Sequence, residues 1–303
     1  MALFGLHRKE KQTPQEGECT ESLKSLLHCY SIEVIPKTAE KIARFSDILP
    51  KNTRVYIAHI EGTSIDAMVK TARRLAVEGY EVMPHFPARL IKNRMELADW
   101  IARYQGEAGV SQALLLGGGR TQTLGDFSDS MALVETELFK DFKRLHFAGH
   151  PEGNKDIDPD GSDKNLLHAL KWKQDFSERS DAEVAITTQF CFDAQPVIEW
   201  ANQLKAEGIH LPIHLGLAGP AKLQTLMKYA LTCGIGPSIH VLQRRAKDVT
   251  KLLVPYEPTD IAQTLAHYKR HNPESSIAQV HLFPLGGIQA SADWANHQGG
   301  RVL

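Results

Sequence analysis

Residues 30–59, YSIEVIPKTAEKIARFSDILPKNTRVYIAH, contain two short β-rich runs, Tyr30–Ile35 and Arg54–His59. Between them Ala39, Ile42, Ala43 and Phe45 recur at helical spacing. The strand–helix–strand unit this predicts then repeats along the chain. Further β-rich runs lie at Tyr80–Phe86, Ser111–Leu116, Arg144–Gly149, Glu183–Phe190, Ile209–Leu215 and Gln279–Leu285. Each pair is separated by apolar residues at helical spacing, among them Met68, Ala72 and Leu75, then Leu166, Leu167 and Leu170, then Val197, Trp200 and Leu204. Helix starts are expected at Thr63 or Ser64, at Asp193 and at Thr259. Two further helices, near residues 237–253 and 258–271, precede the last strand. Eight such units in roughly 270 residues, with no dinucleotide fingerprint, predict an α/β fold that is a single (β/α)8 TIM barrel rather than an open doubly wound sheet.

The 303 residues carry 35 Lys+Arg against 36 Asp+Glu, a formal net charge of −1. That balance speaks against nucleic acid or an anionic membrane as partner, because both are bound through a basic face. Hydrophobic residues at 42% supply a full core and exclude a disordered or collagen-like chain. No apolar run approaches the ~20 residues of a membrane-spanning helix. In MALFGLHRKEKQ, residues 1–12, the charges follow the apolar stretch, the wrong order for a secretory signal. Cys19, Cys29, Cys191 and Cys233 lie far apart, as expected of free thiols in a reducing cytoplasm. Residues 1–28 read as a loose arm, helical from Thr20 to Leu27, ahead of a barrel domain at 29–303. The arm and the helices near 237–271 offer an interface for a homo-oligomer.

In a barrel of this kind the strand ends line one mouth, where the chemistry sits. The residues falling there are Glu33, His59, His85, Gly117-Gly118-Gly119, His150, Glu152, Gln189, His214 and Gly286-Gly287. Glu33 faces away from Ile32 and Val34, so it is either a general acid whose pKa desolvation raises, or a salt-bridge partner of Lys37. The histidines lack the His-x-His pattern of barrel metal hydrolases, and no metal is expected. His59 and His85 suit hydrogen bonding to, or stacking on, an aromatic ligand. The three glycines after strand four leave room for a flat group, or form a tight turn. Gln189 offers a paired donor and acceptor to a pterin-like edge, with Phe190 and Phe192 flanking it.

AITTQFCFD at 185–193, FAGHPEG at 147–153, IEVIP at 32–36 and MPHF at 83–86 resemble, in order and spacing, the methylenetetrahydrofolate reductases. The likeness runs from about Tyr30 to Trp294. It implies a (β/α)8 barrel with FAD at the strand C-termini. The implied activity is reduction of 5,10-methylenetetrahydrofolate to 5-methyltetrahydrofolate by NADH or NADPH, a step of one-carbon metabolism that serves methionine biosynthesis. By position the resemblance makes Glu33 the general acid, Gln189 the pterin-binding amide, His85 a flavin-side histidine and Lys173 a contact to flavin phosphate or ribityl groups. The chain also departs from the family. Gly117-Gly118-Gly119 stands where the family has Arg-Gly-Asp, Ala58 for a threonine, His150 for a tyrosine and Gly287 for a late arginine. FAD is therefore expected to bind weakly or not at all, with hydride passing directly from a nicotinamide to the folate. Two other functions fit the surviving Glu33 and Gln189: a folate-binding barrel methyltransferase or demethylase partner without redox chemistry, and a non-catalytic folate or flavin binder.

Overall fold

The computed structural model describes residues 16–300 except 237, 249 and 251–253; residues 1–15, half of the expected arm, lie outside the described residues. Eight parallel strands close into one barrel in chain order: β1 Ser31–Val34, β2 Arg54–Ile57, β3 Glu81–Pro87, β4 Gln112–Leu116, β5 Arg144–Gly149, β6 Glu183–Cys191, β7 Ile213–Ala218 and β8 Ile277–Phe283. The last strand returns to the first, with Ser31 opposite His281 and Ile32 opposite Leu282.

Strand alternation divides each strand between two environments. Ile32, Val34, Val55, Ile57, Leu115, Phe147, Ile186, Leu215 and Leu282 join the main core between sheet and helices, and all are buried. The alternate residues point into the barrel. There Tyr56, Met83 and Leu114 form a small apolar cluster of their own. Polar side chains, among them Ser31, His146, Thr187 and His281, line much of the rest of the lumen.

The surrounding helices are α1 Glu16–Leu27, α2 Pro36–Ala39, α3 Ile65–Val77, α4 Arg94–Ala108, α5 Ser130–Val134, α6 Lys164–Glu178, α7 Ala194–Ala206, α8 Leu223–Thr232, α9 Ile239–Lys247, α10 Thr259–His271 and α11 Ile288–Ala295. Ser64 caps α3 by accepting from Ala67 N, and Asp193 caps α7 by accepting from Gln195 N. Thr259 is instead the first residue of α10, and its hydroxyl accepts from Trp294 Nε1. The N-terminal helix starts at Glu16, four residues before the expected Thr20, and buries Leu23, Leu26 and Leu27.

Two differences from expectation move the site. Strand seven begins only at Ile213, after Pro212, a residue with no backbone N–H to enter a ladder. His214 therefore lies at the base of the barrel and not at its mouth. Between β7 and α10 the chain makes an excursion, pinched at its root by Ala221 pairing with Tyr256. Its helices α8 and α9 pack Leu223, Leu226 and Leu242 against Phe190, Phe192 and Ala218 at the ends of β6 and β7. Ser238 fastens the excursion to the mouth: its N–H donates to Glu152 Oε2 (2.9 Å), and its hydroxyl accepts from Phe192 N (3.2 Å).

Candidate active site

Glu33 is placed by β1 on the inner wall, its side chain 18% exposed. Its neighbours are His85 on β3, whose Nε2 lies 3.3 Å from Glu33 Oε2, and His281 on β8, whose Nε2 lies 3.9 Å from the same oxygen. Lys37 is not its partner. Burial alone would raise the carboxyl, but His281 and His85 outweigh it and hold the group at about 2. The expectation of a raised pKa rested on an apolar lumen; two imidazoles stand there instead, so at neutral pH Glu33 is an ionised carboxylate. Burial lowers His281 below its ordinary range, and that ring is neutral at neutral pH.

Gln189, His150, Glu152 and Cys233 line one cleft between the ends of β5 and β6 and the loop joining α8 to α9. The Gln189 side-chain oxygen accepts from Phe190 N (3.1 Å), which steadies the amide. His150 Nδ1 and Glu152 Oε1 are buried and without a hydrogen-bond partner. Burial, aided by the Lys173 charge, pulls His150 down to about 4. The loop also comes near Glu33, whose charge adds to burial in raising the Cys233 thiol. Gln189→Ala is expected to raise KM for a folate substrate and leave kcat nearly unchanged, since an anchoring amide serves ground and transition states alike. Steady-state kinetics check this; a defect confined to kcat contradicts it.

The other expected site residues are dispersed. Phe190 and Phe192 are buried in the cluster beneath α8 and α9, only 2% and 3% exposed. The His59 ring lies against Trp100, centroids 4.8 Å apart, and its Nε2–H donates to Thr63 O (3.0 Å). Gly118 has φ +93°, which alone explains the glycine there. A Cβ at Gly117 would stand 3.8 Å from the Arg89 guanidinium and one at Gly119 would meet nothing, so neither position requires a glycine. Arg89 itself donates to Ser128 O and Arg120 O. Lys173 is buried between α6 and β5, its ammonium 5.4 Å from the Phe147 ring centroid, and burial lowers it to about 8. Gly287 has φ +128° and open space beside it. Among the described residues, no group of three or more His, Cys, Asp and Glu is arranged to hold a metal ion, and no helix is long and apolar enough to cross a membrane.

Sequence reasoning missed the polar lumen. Ser31, Tyr56, His146, Thr187 and His281 all occupy inward positions and are buried. The signal was present in the strand alternation of RVYIAH, RLHFAG and QVHLFPL, where one polar or aromatic residue interrupts each apolar run.

These buried imidazoles make acid the weak point of the fold. Burial, with the charges of Arg54, His281 and Arg144, pulls His214 down to about 3, against ~6.5 in an unfolded chain. The unfolded state thus binds more protons below about pH 6.5, and stability falls from there toward pH 3. Glu33, held at about 2, adds a loss that begins as the pH falls into the ordinary carboxylate range and continues down to about 2. Denaturant titrations are expected to show on the order of 3 kcal/mol lost at His214 between neutrality and about pH 4. His214→Gln should flatten that slope; an unchanged slope means that His214 is not its source.

The fold and the mouth thus define a closed α/β barrel with a carboxylate–imidazole cluster at the C-terminal ends of β1, β3 and β8. No family model matches the chain. Among solved structures, an uncharacterized protein from Clostridium thermocellum that binds two copies of 5-methyl-5,6,7,8-tetrahydrofolic acid superposes with a TM-score of 0.56 at 13% identity, covering 91% of this chain and 98% of that one. DHPS from Yersinia pestis, solved with a pterine-sulfa conjugate, gives a TM-score of 0.44 at 10% identity over 90% of this chain and 94% of that one.

Proposed function

We propose that the chain binds a tetrahydrofolate at the barrel mouth and reduces 5,10-methylenetetrahydrofolate to 5-methyltetrahydrofolate, with NADH or NADPH as hydride donor. The observation that carries this is Glu33 at the end of β1 with His85 at 3.3 Å, the two residues that the methylenetetrahydrofolate reductase motifs place at pterin and cofactor. The Clostridium thermocellum barrel, which holds a methylated tetrahydrofolate in the same fold, supports the ligand class.

The residues that would hold FAD do not fit it. Of Gly117, Gly118, Gly119, His150, Lys173 and Gly287, only Lys173 is cationic at neutral pH, and its ammonium is buried beside β5. Arg89, the guanidinium beside Gly117, is committed to backbone carbonyls. The nicotinamide supplies the hydride. This chain's part is to seat the pterin against Gln189 and to move a proton at Glu33. A ligand over the mouth removes the remaining water from Glu33, which raises its proton affinity. The carboxyl, with His85 and His281 beside it, then supplies the proton that opening of the imidazolidine ring requires at N10.

Oxidation of NADH by the purified protein that depends on added methylenetetrahydrofolate tests this function. Binding of tetrahydrofolate without such oxidation would favour the second function, a methyltransferase or demethylase partner, for which an ionised Glu33 is a ready acceptor for a pterin N–H.

A further inference from the structure

Glu152 lies just past β5, in a turn that Gly153 N–H closes on His150 O (3.1 Å). The α8–α9 excursion meets it from the other side. Glu152 Oε2 accepts from the N–H of Ser238 (2.9 Å), a fully buried residue whose hydroxyl in turn accepts from Phe192 N just past β6 (3.2 Å). Gly236 makes this approach possible. A Cβ there would stand 2.8 Å from Glu152 O, 3.0 Å from its Cβ and 3.2 Å from Oε2, so only a glycine lets the loop pass so close. One oxygen of the carboxylate is thus fixed between two strand ends and the excursion.

The other oxygen is left over. Glu152 Oε1 is buried and has no hydrogen-bond partner among the described residues. A carboxylate oxygen can only accept, and burying one without a donor is costly. The neighbouring His150 does not compensate, since burial and the Lys173 charge keep that ring neutral at neutral pH.

Glu152 lines the same cleft as Gln189, which brings the opposite character. The Gln189 side-chain oxygen accepts from Phe190 N (3.1 Å). Only the oxygen of an amide can do so, which turns its NH2 the other way as a donor. The cleft therefore offers an anionic acceptor and an amide donor together.

We propose that Glu152 is a specificity-determining residue, whose Oε1 accepts from the N3–H and 2-amino donors of the pterin's 2-amino-4-oxopyrimidine edge. The Gln189 NH2 donates to the 4-oxo group of the same edge. This rests on the folate-binding reading given above and names the part of the ligand that is recognised. The edge presents donors beside an acceptor, and the two side chains supply its complement. A ligand without the 2-amino group leaves the carboxylate short of a donor in a buried site, and is rejected for that reason. Ser238 and Gly236 are positioning residues that act through Glu152, by fixing Oε2 and by admitting the loop.

Calorimetric binding of 5-methyltetrahydrofolate and of its 2-desamino analogue, without any nicotinamide, tests this apart from catalysis. The unaltered protein is expected to prefer the amino compound by roughly 10–100-fold, the worth of one hydrogen bond to a charged group. In Glu152→Gln, checked for folding by its melting curve, the Ser238 N–H claims the glutamine oxygen and turns an NH2 toward the ligand's donors. Affinity for 5-methyltetrahydrofolate should fall by a similar factor, affinity for the analogue should change little, and the preference should vanish. Equal binding of the two compounds by the unaltered protein, the result if water alone satisfies Oε1, overturns the proposal. A preference that survives the substitution overturns it as well. Should Glu152→Gln fail to fold, Glu152→Asp, too short to reach Ser238 N and the ligand together, should also lose the preference. Binding of folate with an unchanged preference leaves the folate reading standing and removes Glu152 from it. Binding of neither compound by the unaltered protein ends the folate reading itself, and this assignment with it.

Discussion

Glu33→Gln is expected to lower turnover of methylenetetrahydrofolate by roughly 10²–10⁴-fold, the range for a lost acid–base group, while folate binding stays within a few-fold. Glutamine keeps the volume and one acceptor oxygen, so the pterin loses little. It cannot cycle a proton, and it removes the negative charge that His85 and His281 face across 3.3 Å and 3.9 Å. Because Glu33 is held ionised, at about 2, kcat/KM should show no titration of this acid near neutrality. The pH dependence of kcat, which reports the bound complex, is where it should appear. Wild-type turnover in the variant would make Glu33 a structural residue.

The second large effect concerns FAD. Protein stripped of flavin, with its absence confirmed by absorbance, is expected to retain folate-dependent NADH oxidation. Gly117, Gly119 and Gly287 stand where the methylenetetrahydrofolate reductases, which the motifs resemble, carry charged residues. A charge-assisted hydrogen bond is worth ~1.5–3 kcal/mol, so three losses at the low end amount to about 4–5 kcal/mol, roughly a thousandfold or more in Kd. Arg89, the guanidinium beside Gly117, does not restore those contacts, since it is held by Ser128 O and Arg120 O. Activity that returns only when FAD is added back would overturn direct transfer from the nicotinamide.

Much of the barrel was legible because its signal is local. The strand runs and the helix spacings are properties of neighbouring residues, and closure of β8 on β1 followed from their number. Glu33 was placed by the same alternation. Its protonation was not, because that depends on His85 and His281, one 52 residues and the other 248 residues further along the chain. His214 was misplaced by one detail, Pro212, which delays the start of β7. Phe190 and Phe192 have the pattern of ligand-facing aromatics, and only the long-range packing of α8 and α9 shows what covers them. For the glycines at 117–119 the sequence left two readings, room for a flat group or a tight turn, and the positive φ at Gly118 fits the turn.

Closure of the barrel also bears on how the chain matures during synthesis. Ser31 and His281 meet across 250 residues, and Tyr30 and Ile48 are tied to Asn296 by its side-chain amide. Until the last strand has been synthesised, the edge of β1 that pairs with β8 in the folded chain has no partner strand. An exposed parallel edge is an invitation to pair with a foreign strand. Each nascent chain on a crowded polysome therefore carries that edge for most of its translation, and the charged Glu33 in so short a strand makes it a poor template for a neighbour.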